Sequence, residues 1–386
     1  MIEQVTVKNF KSLADVTIDF GRFNCFVGLN GAGKTTILQV LDFISQQMRG
    51  DVGTWLEERG WTADDLRFGD GVGQPVLHTM LEVRFRLKSG DLLCWTGTFD
   101  PAHLQLLGEV ALLMTEPPQQ LLATTAERLT LDDIGLELTF TYEGSVLSQL
   151  RGQLLSEPLR EFKEALINMR SLYLLAPHLL RRSSRLNGHT DLSAGGDGLP
   201  SFLGKIQGSA KDHLEKMLQV FYPRINGFNI TTTPDGLQRL AVYEQDSFVT
   251  QASHVNDGLL RVLAILAQLE YDNANILVLD EIENGINPEI TEKLVDLLVQ
   301  CPAQIIVTTH SPMILNYVRD EVAKTAVQFV FKDQRGQTSV KPFFSLPATA
   351  EKLVHMGPGE AFVDTNLNQL TEAFLQAKKT SAPLLP

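Results

Sequence analysis

"FNCFVGLNGAGKTTILQVLDFI", residues Phe23 to Ile44, decides the fold. The apolar-rich run Phe23–Val27 reads as a strand. Gly28-Leu29-Asn30-Gly31-Ala32-Gly33-Lys34-Thr35 then satisfies GxxxxGK[ST] in full. Beyond it, Ile37, Leu38, Leu41, Ile44 and Met48 share one face of a helix. Glycines let the backbone wrap closely enough for its N–H groups to face phosphates, and a helix starting at Lys34 aims its positive end the same way. The pattern assigns Asn30, Gly31, Ala32, Gly33, Lys34, Thr35 and Thr36 to ATP. Lys34 neutralises the β- and γ-phosphates, and the Thr35 hydroxyl holds Mg²⁺. A chance glycine turn would match the pattern alone, but not with a strand before it and an amphipathic helix after it.

A parallel crossover unit lies far downstream in "ANILVLDEIENGINPEITEKLVDLLVQCPAQIIVTTHSP". Asp280 and Glu281 follow the apolar strand Ile276–Leu279, in the crevice where open α/β sheets bind ligands. Asp280 is thereby expected as a metal ligand, and Glu281 as the base that takes a proton from attacking water. His310 ends the next strand on the same edge and is expected to sense the γ-phosphate; a solvated or structural histidine is the plainer alternative. Glu283 reads as a loop charge.

Bulk properties narrow the classes. The 386 residues carry a net charge of −13, so any nucleic-acid contact must be a local patch rather than a global excess of Lys and Arg. Three widely spaced cysteines argue for a reduced compartment. The eight histidines show no paired metal-ligand spacing. No apolar run approaches the ~18 residues of a membrane span, no export signal is visible, and the cytoplasm is expected.

Between the two motif regions, Leu81, Val83, Phe85 and Leu87 alternate with Glu82, Arg84, Arg86 and Lys88. Leu136, Leu138, Phe140 and Tyr142 repeat the alternation, so an antiparallel lobe is expected over roughly 75–145. Helical patterning follows from about 155 to 222. It is interrupted by "RRSSRLNGHTDLSAGGDGLPS", read as a functional or mobile loop. Arg181, Arg182 and Arg185 at its edge are the best basic cluster for DNA, with a solvated loop flank as the alternative. Gly195-Gly196-Asp197-Gly198 reads as flexible linker. "VNDGLLRVLAIL", Val255 to Leu266, is a buried helix that opens on a small polar corner, Asn256-Asp257-Gly258.

"GLNGAGKTT", "VNDGLLRVLAIL", "ILVLDE" and "IIVTTH", in that order, resemble the Walker A, signature, Walker B and switch-histidine motifs of ABC-type ATPases. The opening "VTVKNFKSLADVTIDFGRFNCFVGLNGAGKTT" is similar to the soluble RecF/SMC/OLD-like branch, the compact group without coiled coil or TOPRIM domain. "DEIENGINP" is similar to that branch's DEPExGLHP. The resemblance implies an α/β fold: an ABC-type P-loop ATPase head with an antiparallel β lobe and a helical lobe. It also implies four segments. Residues 1–155 form the N-terminal part of the core with the β lobe, and 156–250 a helical lobe with a flexible loop. Residues 251–345 form the C-terminal part of the core, and 346–386 a helical extension. In such proteins Asn256, Asp257 and Gly258 act in trans, aimed at the γ-phosphate held by a second copy. A homodimer or higher homo-oligomer with ATP sandwiched between copies follows. Asn256 replaces the usual serine, and Ile282 and Asn287 replace a proline and a histidine. The family's Q-loop glutamine has no placed counterpart.

The function implied is a nucleotide-dependent dimerising switch or motor in DNA processing or anti-phage defence. Its effector, a nuclease or toxin, would be a separate protein, because the 76 residues after His310 carry no acidic run at strand ends. One alternative is an ATP-binding sensor or scaffold with little hydrolysis. Another, a transporter subunit, is disfavoured by the 230 residues separating Gly28 from Gly258.

Overall fold

Alternating apolar and polar residues build an eight-stranded antiparallel sheet early in the chain. Its order is Leu13–Asp19, Ile2–Phe10, Thr79–Arg86, Leu92–Asp100, Gln105–Leu113, Gln119–Thr124, Arg128–Leu131 and Ile134–Glu137. The register pairs Val5 with Ile18 and Val7 with Val16, and Val83 with Trp95, so the inward sets of neighbouring strands coincide. The computed structural model describes residues 1–69, 78–125, 127–132, 134–185, 192–245, 248–271 and 274–381. They divide into two units, 1–169 with 319–386, and 170–318.

In the first unit the helix Lys34–Arg49 buries Ile37, Leu38, Leu41, Ile44 and Met48, as its spacing predicts. Phe43 on that helix meets Phe99 of the large sheet edge-on, with ring centroids 4.9 Å apart, and also packs on Phe10 and Trp55. The strand Phe23–Val27 is buried throughout and runs parallel to Val327–Lys332, which pairs antiparallel with Thr338–Pro342. The last strand of the large sheet is shorter than the alternation predicts. It spans Ile134–Glu137, and Phe140 beyond it is exposed.

In the second unit Ile276–Leu279 lies parallel to Gln304–Thr308, with Leu279 opposite Val307. The helix Pro288–Gln300 connects them, started by Pro288 directly after Asn287. The helix Asp257–Tyr271 buries every residue from Leu259 to Ala267, the polar Arg261 included. The segment expected to be a helical lobe also holds antiparallel strands. Leu237–Glu244 pairs with Ile225–Thr232, with Ser184–Arg185 and with Val249–Gln251. Residues 186–191 of the long glycine-rich loop lie outside the described residues, and residues 192–198 form packed turns rather than linker. A Cβ on Gly195 would stand 2.7 Å from Leu179 Cδ1, and one on Gly196 2.5 Å from Leu180 Cδ2.

One buried charge-bearing group marks the antiparallel lobe. Glu109, 1% exposed, accepts from Trp95 Nε1 at 3.0 Å, Ser145 Oγ at 2.5 Å and Val146 N at 2.6 Å. Burial pushes its carboxyl up, and the three donors offset part of that rise. The folded lobe thus holds the proton more tightly than the unfolded chain does. Glu109 detracts nothing at low pH and increasingly disfavours folding as pH rises from the ordinary carboxylate value toward the raised one. Urea midpoints at about pH 5 and about pH 8 are expected to fall further for wild type than for Glu109→Gln; parallel changes would show that the carboxyl does not titrate in this window.

Candidate functional site

The phosphate loop is shaped by contacts that leave no room for side chains. Gly28, with φ 150°, faces the Val330 carbonyl, whose oxygen would stand 2.1 Å from an added Cβ. Gly33, with φ 110°, backs onto Thr338, whose Oγ1 would stand 2.3 Å from one. Such φ values and approaches are open only to glycine. Thr338 also donates to the Ala32 carbonyl at 2.9 Å and lies 2.8 Å from the Ser12 hydroxyl. The bend closes through Ala32 N to Leu29 O at 3.2 Å, leaving Asn30 and Gly31 exposed at its tip.

Lys34 is buried, and its ammonium donates to the carbonyls of Gly28 at 2.9 Å and Leu29 at 3.1 Å. It therefore lies across the loop, within reach of whatever the loop encloses. Thr35 and Thr36 follow it on the first helical turn. No side chain caps the start of the 16-residue helix, and its first turn carries no acidic residue. The first turn thus brings no carboxylate of its own to the positive helix end. Glycines, a buried lysine and a helix N-terminus in this arrangement fit a polyphosphate.

In the second unit the predicted Asp280, Glu281 and His310 do come together. Thr308, which the sequence reading did not single out, joins them. Its hydroxyl donates to Asp280 Oδ1 and accepts from Glu281 N, the latter at 2.9 Å. The next amide, Ile282 N, donates to the Thr308 carbonyl at 3.2 Å. Glu281 is held in a left-handed conformation, φ 46°, uncommon for a non-glycine residue and found where surrounding contacts over-determine the backbone. Its Oε1 lies 3.4 Å from His310 Nε2, and its Oε2 accepts from Asn284 Nδ2 at 3.4 Å.

Two further residues brace this cluster. Arg261, buried in the Asp257–Tyr271 helix, donates to the Asp280 carbonyl at 3.0 Å and the Glu281 carbonyl at 3.4 Å. Burial draws its guanidinium down from the usual arginine range, and the carboxylates of Glu281, Asp280 and Glu283 push back. Glu283 is no bystander. Its Oε1 accepts from His310 N at 2.8 Å and Ser311 N at 3.1 Å, fixing the backbone that presents the histidine. A lone arginine in an otherwise apolar helix was the legible clue to the first. The second had none beyond its place in "DEIE".

The Asn256–Gly258 corner sits beside the loop that follows Glu281. A Cβ on Gly258 would stand 2.6 Å from the Gly285 carbonyl oxygen and 3.4 Å from the Tyr222 hydroxyl, so glycine is required for this approach. Asn256 is exposed, and its Oδ1 accepts from Leu259 N at 2.7 Å, making it the N-terminal cap of the helix. Of its amide only the NH₂ end is left to offer outward. Asp257 is ion-paired with Arg181, which also donates to the Val255 carbonyl at 2.7 Å. The basic cluster Arg181, Arg182 and Arg185 is therefore partly consumed inside the protein, since Arg182 also lies 3.6 Å from Asp197.

Among the described residues no group of three or more His, Cys, Asp or Glu side chains could hold a metal by itself. Mg²⁺ needs no such cage, because it takes one or two protein oxygens together with phosphate and water. The Thr35 hydroxyl and Asp280 carboxylate are hard oxygen donors of the right kind. Among the described residues no helix is long and apolar enough to cross a membrane.

Comparison with known proteins shows what the chain is similar to. Residues 148–316 match the family described as "AAA domain, putative AbiEii toxin, Type IV TA system", and residues 1–70 match the AAA ATPase domain. A stretch of 44 residues is 46% identical to the OLD nuclease of Thermus scotoductus, covering 11% of this chain and 8% of that relative. The fold is similar to an SMC head bound to the C-winged helix domain of ScpA, with TM-score 0.54 at 15% identity over 88% of this chain and 96% of the other. It is equally similar to the SMC head with extended coiled coil bound to the C-terminal domain of ScpA from Pyrococcus furiosus, with TM-score 0.54 at 14% identity over 92% and 98%. Those structures establish the architecture and leave the chemistry to the sites themselves. The chain is thus similar to AAA ATPase domains over residues 1–70 and 148–316, in short part to an OLD nuclease, and in fold to SMC heads.

Proposed function

We propose that this chain binds and hydrolyses ATP as a dimerising switch, and that two copies enclose the nucleotide. The observation that carries the reading is Glu281, held left-handed between Thr308 and His310 at the end of a buried parallel strand. A carboxylate carried on a backbone so held, and lying 3.4 Å from His310, suits a general base, because the turn that presents it is set before a water arrives. Lys34 would move from its loop carbonyls to the β- and γ-phosphates. His310, steadied by Glu283 through the backbone, would meet the γ-phosphate while orienting Glu281. Thr35 and Asp280 would hold Mg²⁺, which when bound neutralises charge between the β- and γ-phosphates. Asn256 and Gly258 would offer the helix N-terminus to the triphosphate held by the second copy.

An effector in a separate chain, a nuclease or toxin, is the partner this reading implies, in DNA processing or defence. The short similarity to an OLD nuclease and the toxin–antitoxin family match support that direction. The internal pairing of Arg181 and Arg182 weakens direct DNA contact through that cluster. A second reading, a sensor that clamps ATP and turns over slowly, is favoured by one observation: the amide oxygen of Asn256 is already engaged as a helix cap.

Glu281→Gln should retain ATP binding while its turnover falls by about 10²–10⁴-fold. ATPase rates over a series of protein concentrations check this. Wild type as inactive as the variant throughout would sink the hydrolytic reading in favour of the sensor. Glu283→Ala should lower kcat by about ten- to a hundredfold with little change in ATP affinity, since it loosens His310 without touching the phosphate loop. Glu283→Gln, which keeps an acceptor oxygen, should stay near wild type. Equal losses in both variants would show that the acceptor bond is not what matters.

A further inference from the structure

We propose that Arg181 is a positioning residue for the Asn256–Gly258 corner, clamping it from both sides and cancelling the charge of Asp257 that would otherwise face an incoming triphosphate. This rests on the reading in which that corner receives a phosphate. The geometry is specific. One guanidinium nitrogen donates to the carbonyl of Val255 and pairs with the carboxylate of Asp257, and the exposed Asn256 lies between those two attachment points.

Asp257 is not required as the helix cap, because Asn256 Oδ1 already takes the Leu259 N–H. Its carboxylate stands in the first turn of the Asp257–Tyr271 helix, where it favours the helix dipole but repels polyphosphate. An arginine paired there resolves the conflict. The pair is only part-buried, with side chains 25% and 45% exposed, so an arriving anion can compete for the guanidinium.

Arg181 is in turn held by what lies behind it. It directly follows the short helix Pro177–Leu180, which packs on the Asp257–Tyr271 helix with Leu180 fully buried. The turn at Ala194–Gly196 supports that helix. Leu174 N donates to the Ala194 carbonyl at 3.2 Å and Ala176 N to the Gly195 carbonyl at 3.0 Å, while Gly195 and Gly196 give Leu179 and Leu180 their space. Contacts thus run without a break from the glycine turn, through the short helix and Arg181, to the corner. A partner that displaces residues 192–198 would reset the corner's geometry and charge.

The test uses the full chain and two separable readouts. In nucleotide-free protein, amide hydrogen exchange over residues 255–261 should be about five- to tenfold faster in Arg181→Ala than in wild type. In a Glu281→Gln background, the protein concentration at which Mg-ATP drives half-dimerisation should rise about five- to tenfold on Arg181→Ala. It should return most of the way on adding Asp257→Asn or on raising salt, since both remove the repulsion. Unchanged exchange overturns the clamp. An unsuppressed dimerisation defect in the double variant overturns the charge role, because a merely structural arginine would not be rescued by neutralising its partner. If Glu281→Gln never dimerises with Mg-ATP, the dimer reading fails, and the exchange arm still decides whether Arg181 holds the corner.

Discussion

Close approach of other atoms to a glycine backbone is the constraint on which the phosphate loop and the Asn256–Gly258 corner depend. Gly28 meets the Val330 carbonyl, Gly33 meets Thr338, and Gly258 meets the Gly285 carbonyl, each at a distance that excludes even a methyl group. These contacts set where amide N–H groups point, and N–H groups so aimed suit anions. Side chains then add what the backbone cannot supply: a positive charge at Lys34, a hydroxyl at Thr35, and carboxylates at Asp280 and Glu281.

A similar economy governs the acidic strand end. Thr308 serves two neighbours with one hydroxyl, donating to Asp280 and accepting from Glu281 N. Arg261 reaches the same turn from the buried helix and binds the carbonyls of Asp280 and Glu281. The same helix begins at the Asn256–Gly258 corner, four residues earlier than Arg261 in the case of Asp257. A shift of that helix would therefore be felt at both its ends of chemistry, the corner and the acidic turn.

What the sequence made legible follows from locality. Gly28 to Thr35 could be read because loop, strand and helix are contiguous, and the ends of two short parallel strands announced Asp280, Glu281 and His310. Residues whose work depends on distant neighbours could not be read. Thr338 acts on a loop some 300 residues earlier in the chain. Glu283 looked like loop charge until its carboxylate was seen on the amides of His310 and Ser311. Glycine misled in the other direction. Gly195 and Gly196 had the composition of a linker, yet they are small because Leu179 and Leu180 press against them. The strands within 225–251 were missed because their pairing partners, not their own spacing, define them.

The cover that Thr338 provides has a temporal side. A ribosome makes the Gly28–Thr35 segment some 300 residues before the Thr338–Pro342 strand. Until that late hairpin arrives, the loop lacks the wall behind Gly33 and the hydroxyl on the Ala32 carbonyl. The loop's full shape therefore forms only once Thr338 has been made, which ties a local motif to a contact of very long sequence range.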